Sequence, residues 1–395
     1  VLNLALLFHD IGKIYQFKEH ENFGAEIVER IFTRLGLEKY LDIVRFLVKN
    51  HLVMEQVAFR RNCSDMETIL DFAGKVGNLQ RLNYLYLLTY ADLSAVNPNV
   101  WTDWKGALLH ELYHRTKEVF DSKEKKISYK EFNEKSLKTK IQKTHKKLSG
   151  IIPESVINSH LEDFSETGYL FSFAEEAIAE HLKEISKSKK ISVLIENNEN
   201  YSDLTVITEN AFQILSKICG VLTANDANII DAKIFTGKSG LVIDTFRVTN
   251  IITSKRLEED QIEKISADFE SVLLNRINIE QLFEAHKRKW RRKIKHRREI
   301  KIKPHIEFEF DNKYSIVDIF SADSIGFLYR ITQSLSEMNL NIYFAKIATY
   351  GDGIVDSFYV LYENNNKILK EQEETIRTKL LTVIDELLDS ELITN

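Results

Sequence analysis

The segment Leu6-Leu7-Phe8-His9-Asp10-Ile11-Gly12-Lys13 sets an imidazole and a carboxylate side by side at the close of an apolar run. A neutral imidazole beside a carboxylate suits a divalent cation that faces phosphate oxygens. Such a cation needs further N and O donors arriving from other parts of the chain. Three candidates follow: His20, His51 in Asn50-His51-Leu52, and Asp92 at the end of the apolar stretch 82–91. A carboxylate lodged there would cost several kcal/mol if buried and unpaired, so Asp92 asks for a cation or an Arg partner. Asp10 is placed to bridge two ions with a hydroxide between them, and Lys13 to neutralise phosphoryl oxygens. The ordinary reading of His20 and His51, as surface or capping residues at helix ends, stands beside this one. His110 and His114 have the i, i+4 spacing of a zinc pair but no third convergent donor, and they read as lining a helix surface.

Helices must hold these side chains. Apolar residues recur every three or four positions through 25–35, 40–48, 69–76 and 82–93 without strand-like alternation, so residues 1–120 read as all-α. Ser64-Asp65-Met66-Glu67 is an S-x-x-E capping box that opens one helix, and Asn97-Pro98 breaks the chain before Trp101. From about 120 to 150 a Lys/Glu-rich stretch reads as a solvated helical connection. Residues 170–187 are amphipathic again, with Phe171, Phe173, Ala177, Ile178 and Leu182, and the lysines around 187–190 mark a boundary.

Past 191 the pattern changes to strand, helix, strand, strand: 204–208, 211–225, 228–236 and 241–248. The same run returns 112 or 113 residues later. Asn228-Ile229, Ala232-Lys233-Ile234 and Thr236 reappear as Asn341-Ile342, Ala345-Lys346-Ile347 and Thr349, and Asp244-Thr245-Phe246 as Asp356-Ser357-Phe358. Each copy is followed by a helix, near 256–275 and 366–389, which fits a ferredoxin-like βαββαβ module. The alternation Ile306-Glu307-Phe308-Glu309-Phe310 is expected to supply a fourth strand to the first copy, leaving the second sheet without an evident closing strand. Between the copies lies Lys287-Arg288-Lys289-Trp290-Arg291-Arg292-Lys293, continuing to Arg297-Arg298. Its helical, Pro304-terminated context favours a solvated basic helix docking on acidic protein surface over a nucleic-acid contact.

The bulk numbers bound these readings. A chain of 395 residues, 44% hydrophobic and 10% aromatic, can build several cores. A formal net charge of -5 argues against general nucleic-acid affinity, and the apolar runs are too short for a membrane span. Two cysteines, Cys63 and Cys219, lie far apart without Cys-x-x-Cys spacing, which fits a reducing cytoplasm. The chain opens on Val1 without a charged leader, as a piece of a longer chain would.

The helical block resembles the HD-superfamily domain of the bifunctional uridylyltransferase/uridylyl-removing enzymes of the PII signal protein, the GlnD family. The residues that carry the resemblance are His9-Asp10-Ile11-Gly12-Lys13, His20 with Gly24-Ala25, Asn50-His51-Leu52-Val53-Met54, Arg81 through Asp92, and Trp101-Thr102-Asp103-Trp104-Lys105. The tandem repeat resembles that family's two ACT domains. The resemblance implies a multidomain α + (α+β) chain: an HD domain with a helical extension over 1–190, a first ACT domain over 201–311 with a basic insertion at 286–303, and a second over 313–395. It implies His9, Asp10, His20, His51 and Asp92 as ligands of Mg²⁺ or Mn²⁺, and hydrolysis of the uridylyl-tyrosine phosphodiester on PII in nitrogen-status signalling. It also implies a further metal-binding His and a nucleotidyltransferase domain upstream of Val1. ACT modules take small amino acids at an Asp-x-x-Gly loop, where Gly lets the ligand approach a helix N-terminus. The second copy has Asp323-Ser324-Ile325-Gly326, whereas the first has Asn210-Ala211-Phe212-Gln213. The second copy, with Asn341 and Ile342, is therefore expected to hold glutamine, and Gln213 to block the first. Self-association through ACT sheet edges is also expected. The alternatives are an HD-type guanosine tetraphosphate hydrolase with ACT regulation and a non-catalytic glutamine sensor.

Overall fold

A computed structural model of the chain describes all residues except 15–18, 97–100, 102, 125–127, 166–167, 291–301, 351–352 and 393–395. The Asn97-Pro98 break and the basic stretch from Arg291 onward lie outside the described residues. The chain divides into two compact units, Val1–Thr139 and Lys140–Asn395.

The first unit is helical. It comprises α1 (Leu2–Phe8), a 3₁₀ turn (Ile11–Ile14), α2 (His20–Leu35), α3 (Glu38–Asn50), α4 (Val53–Arg60), α5 (Met66–Val76), α6 (Leu79–Val96), α7 (Asp103–Glu124) and the start of α8 (Tyr129–Leu148). Apolar stripes at three- and four-residue spacing give each helix one buried face, as with Val28 and Phe32 on α2 and Val44, Leu47 and Val48 on α3. At the start of α5 the cap sits one residue later than the S-x-x-E pattern suggests. Asp65, not Ser64, caps the helix, its carboxylate accepting from Thr68 N at 2.9 Å. With Met66 as first helical residue, Thr68 carries one of the orphan donors, and a carboxylate also meets the positive end of the helix dipole.

The second unit continues with α9 (Glu154–Asp163), α10 (Tyr169–Ser172) and α11 (Glu175–Ile185). The first sheet module follows as β1 (Ile191–Asn197), β2 (Ser202–Glu209), α12 (Ile214–Ala224), β3 (Ala227–Lys233), β4 (Leu241–Asn250) and α13 (Glu259–Leu273). After α14 (Ile279–Trp290) comes the second, with β5 (His305–Phe310), β6 (Ser315–Ala322), α15 (Phe327–Glu337), β7 (Leu340–Tyr350), β8 (Gly353–Tyr362) and α16 (Lys370–Leu392). The architecture is thus a helical region followed by two four-stranded antiparallel sheets with helices, ordered β1-β2-β4-β3 and β5-β6-β8-β7.

The strand 306–310 is placed differently from the sequence expectation. It pairs with β6, Phe308 opposite Val317, and belongs to the second sheet. Asp311 decides this locally, since its Oδ1 accepts from the backbone N–H groups of Lys313 and Tyr314 and folds a tight hairpin. The second sheet is therefore closed by β5, and the first by β1, which pairs with β2. Both β3 and β7 carry a bulge at the repeated Asn-Ile step, between Ile229 and Asp231 and between Ile342 and Phe344. Leu204, Val206, Phe246 and Val248 of the first module and Val317, Ile319, Phe358 and Val360 of the second share one apolar cluster. The edge strands β3 and β7 lie against each other, as do α12 and α15. These two sheet edges thus meet within the chain. Among the described residues, no helix is long and apolar enough to cross a membrane.

Candidate functional site

At the end of α1 the chain turns through His9 into the 3₁₀ helix, so adjacent residues in sequence project toward the same space. Gly12 makes the next approach possible: a Cβ there would collide with the carbonyl oxygen of His20 and stand 2.8 Å from Gly24 N. That close packing lays the first turn of α2 on the 3₁₀ turn and brings His20 to Asp10. The helix α3 delivers His51 at its C-terminal end, and α6 delivers Asp92.

The five side chains meet. His20 Nε2 lies 3.3 Å from Asp10 Oδ1 and 3.2 Å from His51 Nε2, and His51 Nε2 lies 3.8 Å from Asp10 Oδ1. His9 Nε2 lies 3.5 Å from Asp10 Oδ2 and 3.3 Å from Asp92 Oδ1. His9 Nδ1 donates to Leu6 O at 2.8 Å and His51 Nδ1 to Val48 O at 2.7 Å. A carbonyl only accepts, so each Nδ1 carries a proton and each Nε2 turns its lone pair inward. Donors about 2.0–2.2 Å from one divalent ion stand roughly 3.0–3.5 Å from each other. The Asp10, His20 and His51 atoms approach that spacing, and among the described residues they form a possible metal-holding group. Lys13 Nζ sits on Asp10 Oδ2 at 2.6 Å, so its charge is directed first at the carboxylate.

The electrostatics follow from crowding. Asp92, accepting from the protonated ring of His9, raises the pKa of His9 against the opposing effect of burial. Burial pushes Asp10 upward, but Lys13 and His9 more than offset it and its carboxyl lies below the ordinary value. Burial holds His51 below the ordinary imidazole value, with His9 and His20 adding to the effect. Two further charged groups lie close by, Glu55 near Asp92 and Lys105 near Glu55. Glu55, on α4, has its pKa raised by burial and by Asp92, while Lys105, on α7 and 5% exposed, has its own lowered by burial and lifted by Glu55. A glutamate following Val53-Met54 on an apolar helix face was the available signal for the first of them. His110 and His114 lie side by side on one exposed face of α7, their rings tilted by 56° and Nε2 to Nε2 2.9 Å.

The residues expected to bind an amino acid fall into two places. Asn341 and Ile342 line a cavity of about 880 Å³ whose other wall is the loop before α12, with Asn210 and Gln213. Gln213 takes the left-handed φ of 60° as N-cap of α12 and leaves the cavity open. Asp323, Ser324, Ile325 and Gly326 lie at the equivalent loop of the second module, where the ring of Phe283 covers Gly326. The open space is thus beside Gln213 rather than beside Gly326. Asp244 lines it too, 1% exposed. Its Oδ1 accepts from Phe235 N at 3.1 Å, and its Oδ2 is buried without a hydrogen-bond partner. Burial pushes this carboxyl up to about 8.

Comparison with known proteins fits this geometry. Residues 1–95 match the HD domain family. The chain is 30% identical over 371 residues to the bifunctional uridylyltransferase/uridylyl-removing enzyme of Rhodospirillum rubrum, covering 91% of this chain and 38% of the relative. It is 32% identical over 376 residues to the enzyme of that name from Gluconobacter oxydans, with 91% and 38% covered. The chain spans well under half the length of these relatives. Its first 95 residues thus match the HD domain, and nine-tenths of the chain is similar in sequence to the bifunctional uridylyltransferase/uridylyl-removing enzymes.

Proposed function

We propose that the chain carries a divalent-metal-dependent phosphodiesterase that removes UMP from uridylylated PII in the cytoplasm, under control by glutamine. The observation that carries this reading is the convergence of His9, Asp10, His20, His51 and Asp92 inside the HD domain. The inward Nε2 atoms and the anionic oxygens suit Mn²⁺ or Mg²⁺, with imidazole favouring the former. When bound, the ion would supply Lewis acidity to a phosphoryl oxygen and acidity to water. The Leu6 and Val48 carbonyls hold the imidazoles of His9 and His51 in the ligating tautomer, and Asp92 Oδ1, 3.3 Å from His9 Nε2, would be a further ligand on the same side. Lys13, half-exposed beside Asp10, can extend to a non-bridging phosphoryl oxygen and offset its charge. Hydrolysis joins a water oxygen to phosphorus, breaks the bond to the tyrosyl oxygen, and returns a proton to that leaving group. The test is incubation with Mn²⁺ and either uridylylated PII or guanosine tetraphosphate. UMP release from the first alone is expected, and pyrophosphate release from the second would overturn the reading in favour of the alternative hydrolase.

The same reading places the effector in the 880 Å³ cavity. The unpartnered Oδ2 of Asp244 suits an ammonium group, and the N-terminus of α12 suits a carboxylate, the two ends of an amino acid. Asp244 titrates near 8 when the cavity is empty, so it is mostly protonated at pH 7. An ammonium favours the ionised form, and binding should release close to one proton. Affinity for glutamine is then expected to rise about tenfold per pH unit up to pH 8 and to level off above it. Calorimetry in buffers of different ionisation enthalpy measures the proton release, and Asp244→Asn should remove the slope. A pH-independent affinity in the wild type rules out Asp244 as the contact.

A further inference from the structure

The two halves of the second unit meet through equivalent parts, β3 against β7 and α12 against α15. Like surfaces packed on each other define a two-fold relation. Each cleft between the modules should therefore occur twice, once where 210–213 faces 341–342 and once where 323–326 faces 228–229. The first is the open cavity. Across the second lies α14, from the segment that joins the two copies.

The helix is seated by contacts along its length. Phe283 is 1% exposed, and a Cβ on Gly326 would stand 2.5 Å from its ring. Glu280 accepts from Arg330 at 2.6 and 2.7 Å and from the Tyr329 hydroxyl at 2.9 Å, while the Arg330 guanidinium stacks 4.9 Å from the Phe283 ring centre. Further along, His286 Nε2 pairs with Asp226 Oδ1 at 3.1 Å. In the same loop as Gly326, Ser324 is 6% exposed and its hydroxyl is buried without a hydrogen-bond partner. An aromatic ring cannot satisfy that hydroxyl, whereas a polar ligand would.

We propose that α14, through Phe283, fills the twin of the open cavity, so that the module pair takes one small amino acid per chain and keeps a second, latent site closed by its own helix. This rests on the reading above that the open cavity takes the effector. The positive φ of 79° at Gly326 and the missing Cβ then serve the helix rather than a ligand. Release of α14 would double the ligand capacity.

Calorimetry of L-glutamine with the full chain tests it. The wild type is expected to bind one equivalent and Phe283→Ala two. Because Phe283 is buried, Glu280→Gln provides a milder release that leaves the core intact, with a weaker second site expected. A readout independent of ligand is maleimide labelling of Ser324→Cys, slow in the parent and faster once Phe283→Ala or Glu280→Gln is added. Two equivalents in the wild type, or one equivalent and unchanged labelling in either folded variant, overturn the proposal. Absence of glutamine binding in every protein, with labelling accelerated as expected, instead removes the effector reading and leaves the helix as the cover of 323–326.

Discussion

Asp10→Asn is expected to lower UMP release by on the order of a thousandfold and to strip the bound metal, with the helical fold unchanged. Asp10 is the group common to the whole cluster, its Oδ1 facing His20 and His51 and its Oδ2 facing His9 and Lys13. The amide keeps the shape but removes the charge, and its NH₂ can present a hydrogen to imidazole lone pairs that would otherwise point at the ion. A thousandfold is about 4 kcal/mol, the scale of losing anionic ligation together with transition-state charge stabilisation. Lys13→Ala should cost much less, about tenfold, because that ammonium is half-exposed and spends part of its charge on Asp10. Initial rates, elemental analysis and circular dichroism together check this. An Asp10→Asn protein that is metal-free, folded and indistinguishable from a metal-free wild type would favour the non-catalytic sensor.

The second large effect is on stability in acid. His160 and His181 are buried on either side of Tyr169, His160 Nε2 at 3.3 Å and His181 Nδ1 at 2.8 Å from the phenol oxygen. Burial lowers each imidazole to about 4. A histidine whose folded pKa lies below its unfolded 6.5 binds its proton more readily when unfolded. Its contribution is therefore complete above about 6.5 and is lost as the pH falls toward 4. The loss is about 3 kcal/mol per histidine at the lower end. Asp231 and Asp244 work in the opposite direction, because burial raises them to about 6 and about 8 and the folded chain holds their protons. Their contribution is present at low pH and is lost as the pH rises through those values, so the summed profile between 4 and 6.5 is nearly balanced. The informative quantity is the difference between wild type and His181→Gln, which removes one titration and keeps a hydrogen-bonding group for Tyr169. Urea midpoints at pH 7, 5.5 and 4.5 should show the variant gaining on the wild type by about 2–3 kcal/mol as the pH falls. Parallel pH profiles would contradict it.

The centre and the cavity differ in how far local pattern could reach. The His9-Asp10 pair was legible because its members are adjacent and end an apolar run, and Gly12 because it stands beside them. The helical period before 120 and the 112-residue repeat were legible because periodicity is a property of sequence alone. His20, His51 and Asp92 could be named one by one, yet only folding shows their atoms 3.2 to 3.8 Å from their neighbours, since three helices must converge for that. The same holds for Glu55 and Lys105, each an ordinary charged residue until packing sets Glu55 near Asp92 and Lys105 near Glu55.

Tertiary structure alone decided three matters. The turn at Asp311 turned 305–310 back onto β6, because a short hydrogen-bonded connection outweighs a pairing with a more distant strand. The edges β3 and β7 meet inside the chain, which makes clefts between modules that neither copy contains by itself. Phe283, more than forty residues before Gly326 in the chain, closes one of those clefts. Residue type at a loop tells what backbone it can adopt, and Gly326 does take a positive φ as the N-cap of α15. Which of two equivalent loops stays open depends on what docks there, and that is set by the shape and charge of the surface that the folded halves present to α14.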